Sequence, residues 1–327
     1  MRAFMSIAIP LILLIQPPSG QPPLKLIQTI DLPHVEGRID HLALDSTGQK
    51  LFVAALGNNT VEVVDVEKGS HIRSLPGFRE PQGIAGIPDA ALMAVANGEG
   101  EGIQTISAND YRTGKAISLG NDADNVRYDA GAKKLYVGYG GGALAAISPD
   151  SGTVLGQVKL AGHPESFQLE QKGPRIFVNV PPAGHIAVID RTTMKVIATW
   201  PVAGAKANYP MALDEANHLM FIGCRRPAKI LVFDTATGRE LAAFDIVGDT
   251  DDIFYDAART RVYVSGGEGA IDVLDAKRAP TLTRLARVGT ASGARTSLFA
   301  AQHGRLYLAV PHRGNQNAQI RVYEAQN

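Results

Sequence analysis

The sequence predicts an all-β protein: a seven-bladed β-propeller with four-stranded blades, its ring closed by an N-terminal strand that completes the last blade. Three observations predict it. Two strand-like anchors recur together seven times, the seventh unit stops one strand short, and a strand-like segment is left over near the N-terminus.

The first anchor is an apolar strand ending in an acidic or hydroxyl residue. It appears as Val61–Asp65, Ile103–Ser107, Leu144–Ser148, Ile186–Asp190, Ile230–Asp234, Ile271–Asp275 and Ile320–Glu324. Its end residues follow one another at steps of 42, 41, 42, 44, 41 and 49 residues. The second anchor lies upstream of each, beginning at Leu51, Leu92, Leu135, Ile176, Met220, Val262 and Leu306. A fixed period of this length means one supersecondary unit stacked on copies of itself. In the first unit the strands fall at Asp40–Leu44, Lys50–Ala55, Thr60–Asp65 and His71–Leu75. Between them lie Asp45–Gly48, Gly57–Asn59 and Glu67–Gly69, rich in residues that tolerate positive φ. The apolar positions alternate or run together, as in sheets covered on both faces. The seventh unit ends soon after its third strand, and Leu24–Ile30 can supply the fourth. Pairing the two ends removes the open edges of an unclosed ring, which an open solenoid or two sandwiches would leave. One domain over residues 24–327 is expected.

Residues 1–20 read as a signal peptide. One positive charge at Arg2 precedes an apolar run from Ala3 to Ile15, and Pro17-Pro18-Ser19-Gly20 follows. The run is too short to span a membrane, which takes about 20 apolar residues, and no later segment is long and apolar enough. A periplasmic or secreted protein, and a monomer, is expected. Lys+Arg and Asp+Glu each total 32, which gives no electrostatic case for nucleic acid or an anionic membrane. A single cysteine, Cys224, excludes an internal disulfide framework and reads as a small buried thiol.

Chemistry concentrates where the chain leads into each innermost strand. Blade by blade these segments carry Arg38, Asp40 and His41; Gln82; Asp122, Asp124 and Asn125; His163, Glu165 and Ser166; Asn208 and Tyr209; Asp249, Asp251 and Asp252; then Arg295, Thr296 and Ser297. In a propeller such positions lie nearest the axis, so seven distant segments converge on one funnel. Crowded carboxylates must protonate, pair with Arg38 or Arg295, or hold a cation. Asp and Glu oxygens suit Ca²⁺ or Mg²⁺, and adding His41 and His163 suits Zn²⁺ or Mn²⁺. The candidate metal ligands are Asp40, His41, Asp124, His163, Glu165, Asp251 and Asp252. Capping of strand ends is the alternative role for any one of these polar side chains. The loops between second and third strands add Arg225-Arg226, His185, His312-Arg313 and Glu99 to Glu101 to the same rim. There the arginines either grip an anionic partner or pair with nearby acids.

Several tempting motifs fail. Gly98 to Gly102 and Gly140 to Gly142 occupy a hairpin position with no helix after them, so they are not phosphate loops. Asp249–Asp252 lacks the Gly and downstream Glu of an EF-hand, and no Gly-x-Ser-x-Gly elbow occurs.

The segments Lys50–Gly77 and Lys134–Gly162 resemble the YVTN repeat of bacterial YncE-like propellers, Tyr136-Val137-Gly138 being the nearest match to its core. The resemblance covers nearly all of residues 24–327. It implies the propeller fold and export, and in some members binding of nucleic acid or a partner at the bacterial surface. The wider group includes a quinoprotein amine dehydrogenase chain, but one tryptophan, Trp200, cannot supply the repeated tryptophan docking of pyrroloquinoline-quinone propellers. No catalytic residue transfers from this resemblance. Two functions are therefore expected in competition. One is a binding protein holding a small molecule, metal ion or protein at the funnel. The other is a lactonase- or lyase-type enzyme with an axial divalent cation.

Overall fold

The structure, a computed structural model, describes residues 21–100 and 102–327. The expected signal peptide, 1–20, and Glu101 lie outside the described residues.

Seven antiparallel four-stranded sheets form the blades. Their innermost strands are Leu42–Leu44, Pro81–Ile87, Ala123–Asp129, Phe167–Leu169, Lys206–Asp214, Thr250–Asp256 and Ser297–Ala300. Each touches the inner strand of the next blade, and the seventh touches the first, so the ring is closed. Both anchors sit where expected. The second strands run over Lys50–Ala55 and its counterparts, the third over Thr60–Asp65 and its counterparts. The long seventh step is a long hairpin: residues 311–317 connect Arg305–Val310 to Ala318–Ala325, and Arg313 bridges Gln316 within it.

Closure is by the leftover segment. Leu24–Leu32 pairs antiparallel with Ala318–Ala325, from Leu24 opposite Ala325 to Leu32 opposite Ala318, with a bulge between Leu26 and Gln28. On that strand Leu24, Ile30 and Leu32 are buried while Leu26 is 47% exposed. The blades bury their faces on one another. Leu42, Val53 and Val64 of the first blade pack with Tyr307, Ala309 and Ile320 of the seventh. Phe52 and Val63 on the other side pack with Met93 and Val95 of the second. Cover on both faces explains the near-continuous apolar runs.

Two acids interrupt those runs and are fully buried. Glu62 accepts from Thr60 and Ser74, and His71 Nε2 lies 2.7 Å from it. Asp272 takes a bidentate grip from Arg287, 2.7 Å at each oxygen, and the Val247 amide at 2.8 Å. Satisfied in this way, a buried carboxylate is tolerated.

Some expected boundaries move: the closing strand runs on to Leu32, and the outer strand of the first blade spans Ser70–Pro76. The first inner strand begins at Leu42, two residues after the expected Asp40. Asp40 and His41 still bond to the second strand, through Asp40 N to Ala54 O at 2.7 Å and Ala54 N to His41 O at 3.0 Å. The His41 amide, however, turns away to Gln82 O of the next blade at 3.2 Å, so regular pairing starts later.

Candidate functional site

The local backbone aims the polar lead-in residues at the axis. The ladder between first and second strands slips between Ala123 and Val126, between Asn208 and Met211, and between Thr250 and Asp252. Such bulges re-aim side chains and increase local twist. Just before them the chain turns through left-handed residues, Asp122 at φ 61°, Ala207 at φ 58° and Asp249 at φ 53°. Non-glycine residues held there cost about 1–3 kcal/mol each and gather at functional positions. Backbone hydrogen bonds between blades fix the geometry, as where the Asp122 amide donates to the Gly98 carbonyl at 2.6 Å.

Three constellations result. In the first, Asp40 receives Arg38 at 2.6 Å, and His41 lies 3.7 Å from Asp40 and 3.5 Å from Asp252. Asp252 also accepts the Ser297 amide at 2.8 Å. Burial opposes the charge on His41, but Asp252, Asp40 and Asp124 outweigh it and raise the imidazole to about 10. Burial, with its acidic neighbours, raises Asp40 against the pull of His41 and Arg38.

The second is an arginine clamp. Asp251 is held by Arg225 at 2.6 Å and Arg295 at 3.1 Å. Asp249 lies 2.9 Å from Arg295 and 3.6 Å from Arg225. Arg225 stacks on Tyr209, 4.1 Å from its ring centre. Burial lifts Asp251 to about 6 even inside this clamp.

The third joins the third and fourth blades. Asp124, His163 and Glu165 each offer a ligand atom, all within 4.8 Å of one another. His163 Nδ1 lies 2.7 Å from the Gly140 carbonyl and 3.1 Å from Asp122, while its Nε2 faces Asp124 at 3.7 Å. Burial raises Glu165 to about 8, reinforced by Asp124 and Asp251. For Asp124 burial works the other way from the net shift: the His163 hydrogen bond and the charges of His41, His163 and Arg38 lower it. The His163 ring, despite burial, is raised to about 9 by Asp124, Gly140 and Asp122.

Of the seven candidate ligands, then, three meet at one point. Asp40, Asp251 and Asp252 are each occupied by an arginine, an imidazole or an amide, and His41 lies between the carboxylates of Asp40 and Asp252. Asn125 and Asn208 are buried beside the cluster, and the Oδ1 of each has no hydrogen-bond partner. The Asn208 amide group donates to Asn179 and to the His185 carbonyl, which braces the fifth lead-in segment. On the rim, His312 pairs with Glu36 at 2.8 Å and Arg79 with Glu99 at 3.5 Å. Arg225 is drawn inward, whereas Arg226 lines a groove of about 530 Å³ with Glu165, Pro181, Lys206 and Tyr209. Cys224 is buried, and burial pushes its thiol up to about 12, so it is no nucleophile.

One charged residue at the axis had no place among the candidates. Arg127 reaches the channel from the third inner strand. Its only signal in the sequence is a charge set between Val126 and Tyr128 on a strand that is otherwise half apolar.

Known proteins agree with this architecture. A chain of the solved Kuenenia stuttgartiensis hydrazine synthase superposes with a TM-score of 0.78 at 15% sequence identity, covering 88% of this chain and 97% of that one. The likeness is one of fold. No protein-family model and no curated protein matches the chain.

Proposed function

We propose that this is an exported binding propeller of the YVTN type whose axial site holds a divalent cation between Asp124, His163 and Glu165 and presents it to a ligand. The carrying observation is the approach of those three ligand atoms to within 4.8 Å from two different blades. A second supports it. His163 directs Nδ1 at the Gly140 carbonyl, 2.7 Å away, leaving Nε2 towards Asp124 at 3.7 Å. Metal-bound histidines are commonly oriented by such a backbone acceptor. The donor set, one imidazole and two carboxylates, suits Zn²⁺ or Mn²⁺ better than Ca²⁺ or Mg²⁺. Cation binding also answers the repulsion among Asp124, Glu165 and Asp251.

Three protein ligands leave coordination positions open. Glu165 borders the groove that holds Lys206, Arg226 and Tyr209. An anionic oxygen of a small molecule or of a protein segment lying in that groove would complete the cation's shell, with the two basic residues matching its charge. The same open positions support a second reading, a lactonase- or lyase-type enzyme in which the cation polarises a carbonyl. Export rests on the N-terminal segment 1–20, and cell fractionation tests it.

The binding experiment is calorimetric titration of EDTA-treated protein with Zn²⁺, Mn²⁺ and Ca²⁺. One site is expected, preferring Zn²⁺ or Mn²⁺, and weakened at least about 10-fold in His163→Ala or Glu165→Gln. Absence of binding, or equal affinity in both variants, refutes the cation site. Hydrolysis of a lactone panel that is lost with EDTA would favour the enzyme.

A further inference from the structure

Beneath the polar cluster the axis is hollow. A cavity of about 560 Å³ runs along it, walled by inner-strand side chains such as Leu42, Leu44, Ile84, Ile253 and Leu298. His41, Asp252, Ser166 and Ser297 roof it, and Pro88, Ala130 and Gln302 stand at its far end. Those last residues belong to turns between first and second strands, so the mouth opens on the face opposite the proposed cation. The size is that of a pocket for a small organic molecule.

Arg127 decides what kind. Its guanidinium sits over the Phe167 ring, 5.5 Å from the centre, and its one protein hydrogen bond goes to the Val126 carbonyl at 2.9 Å. Most other charged groups at the axis have a partner: Asp40 with Arg38, Asp251 with Arg225 and Arg295, Asp252 with His41, Asp124 with His163. Among the described residues Arg127 has no carboxylate in ion-pair contact. A guanidinium drawn away from water is costly unless an anion meets its fork of donors, and a carboxylate does so bidentately. The apolar walls below suit a hydrocarbon body. A cation is repelled by Arg127, and a dianion such as a phosphate monoester would meet one arginine with Asp252 close by.

We propose that the axial cavity binds a monocarboxylate with an apolar body of medium length, its carboxylate on Arg127 and its chain or ring towards the mouth. The site is separate from the cation site and takes its ligand from the other face.

The probes are octanoate, octan-1-ol and octylamine, titrated into the purified full chain at pH 7. Octanoate binds at one site, and the alcohol and amine bind at least about 10-fold more weakly, the usual worth of a charge-assisted pair. Arg127→Met brings octanoate down to the affinity of the alcohol, and Arg127→Lys recovers part of the loss. Leu298→Trp, which fills the wall, weakens octanoate and octanol alike. EDTA leaves octanoate affinity unchanged, which separates this site from the cation. The proposal is overturned if octanoate gives no saturable binding at millimolar concentration, if folded Arg127→Met or Arg127→Lys binds it as the wild type does, or if octanol binds equally well.

Discussion

Ring closure makes a prediction that separates two faces of a single strand. Leu24–Leu32 sends Ile30 and Leu32 into the cluster shared with Val35, Leu42, Val53 and Ile320, where Leu32 is 0% exposed and Ile30 2%. Past the bulge between Leu26 and Gln28, Leu24 is buried against the sixth blade, but Leu26 is 47% exposed. Truncating a fully buried Leu or Ile to Ala costs about 2–5 kcal/mol, from lost burial plus the cavity left behind. Leu26→Ala loses little buried area and should cost within about 0.5 kcal/mol. Whole-domain stabilities are commonly about 5–15 kcal/mol, so Leu32→Ala alone removes a large share. Urea unfolding of Leu32→Ala, Ile30→Ala and Leu26→Ala, followed by intrinsic fluorescence and circular dichroism, reads the difference. Equal midpoints for Leu32→Ala and Leu26→Ala would mean that this strand does not complete the seventh blade.

Further expectations follow from the same geometry. Asp272→Asn breaks the bidentate grip of Arg287 on a fully buried acid and should cost about 1–3 kcal/mol in urea unfolding, the arginine itself remaining partly in water. Folded His41 keeps its proton to about pH 10, whereas the unfolded chain releases it near 6.5. Its stabilising contribution is therefore complete below pH 6.5 and is lost as pH climbs to 10. Unfolding free energies measured across that window should fall more steeply in the wild type than in His41→Gln. Cys224, buried and with its thiol pushed up to about 12, should resist iodoacetamide at pH 8 in the native protein and react in guanidinium. Rapid native alkylation would show that the fifth blade opens.

How far the sequence carried the structure depends on which distances were involved. The anchors Val61–Asp65 and Leu51–Val53 lie within one hairpin, and period-two apolarity with Gly and Asn turns writes such pairing into adjacent residues. The closing strand was legible because the seventh unit lacked one. The first inner strand was drawn two residues too early because Asp40 and His41 keep bonds to Ala54 while His41 N turns to the next blade. At the axis, composition located the polar segments but could not assign partners. That Arg225 reaches Asp251 and His163 reaches Asp124 is decided between chain segments about 26 and 39 residues apart, by bulges and left-handed turns. Asp251 has the residue type of a ligand, but two guanidiniums hold it. A lone arginine on a strand, as at Arg127, has no local signature; only the channel around it gives it meaning.

The central claim is that Asp124, His163 and Glu165 form a cation site at the axis. Its most direct test is anomalous diffraction from crystals of the full chain soaked in Mn²⁺ or Zn²⁺. A single strong peak is predicted among the Asp124 carboxylate, His163 Nε2 and the Glu165 carboxylate, absent in Glu165→Gln. An empty axis, or a peak elsewhere on the ring, would contradict the account.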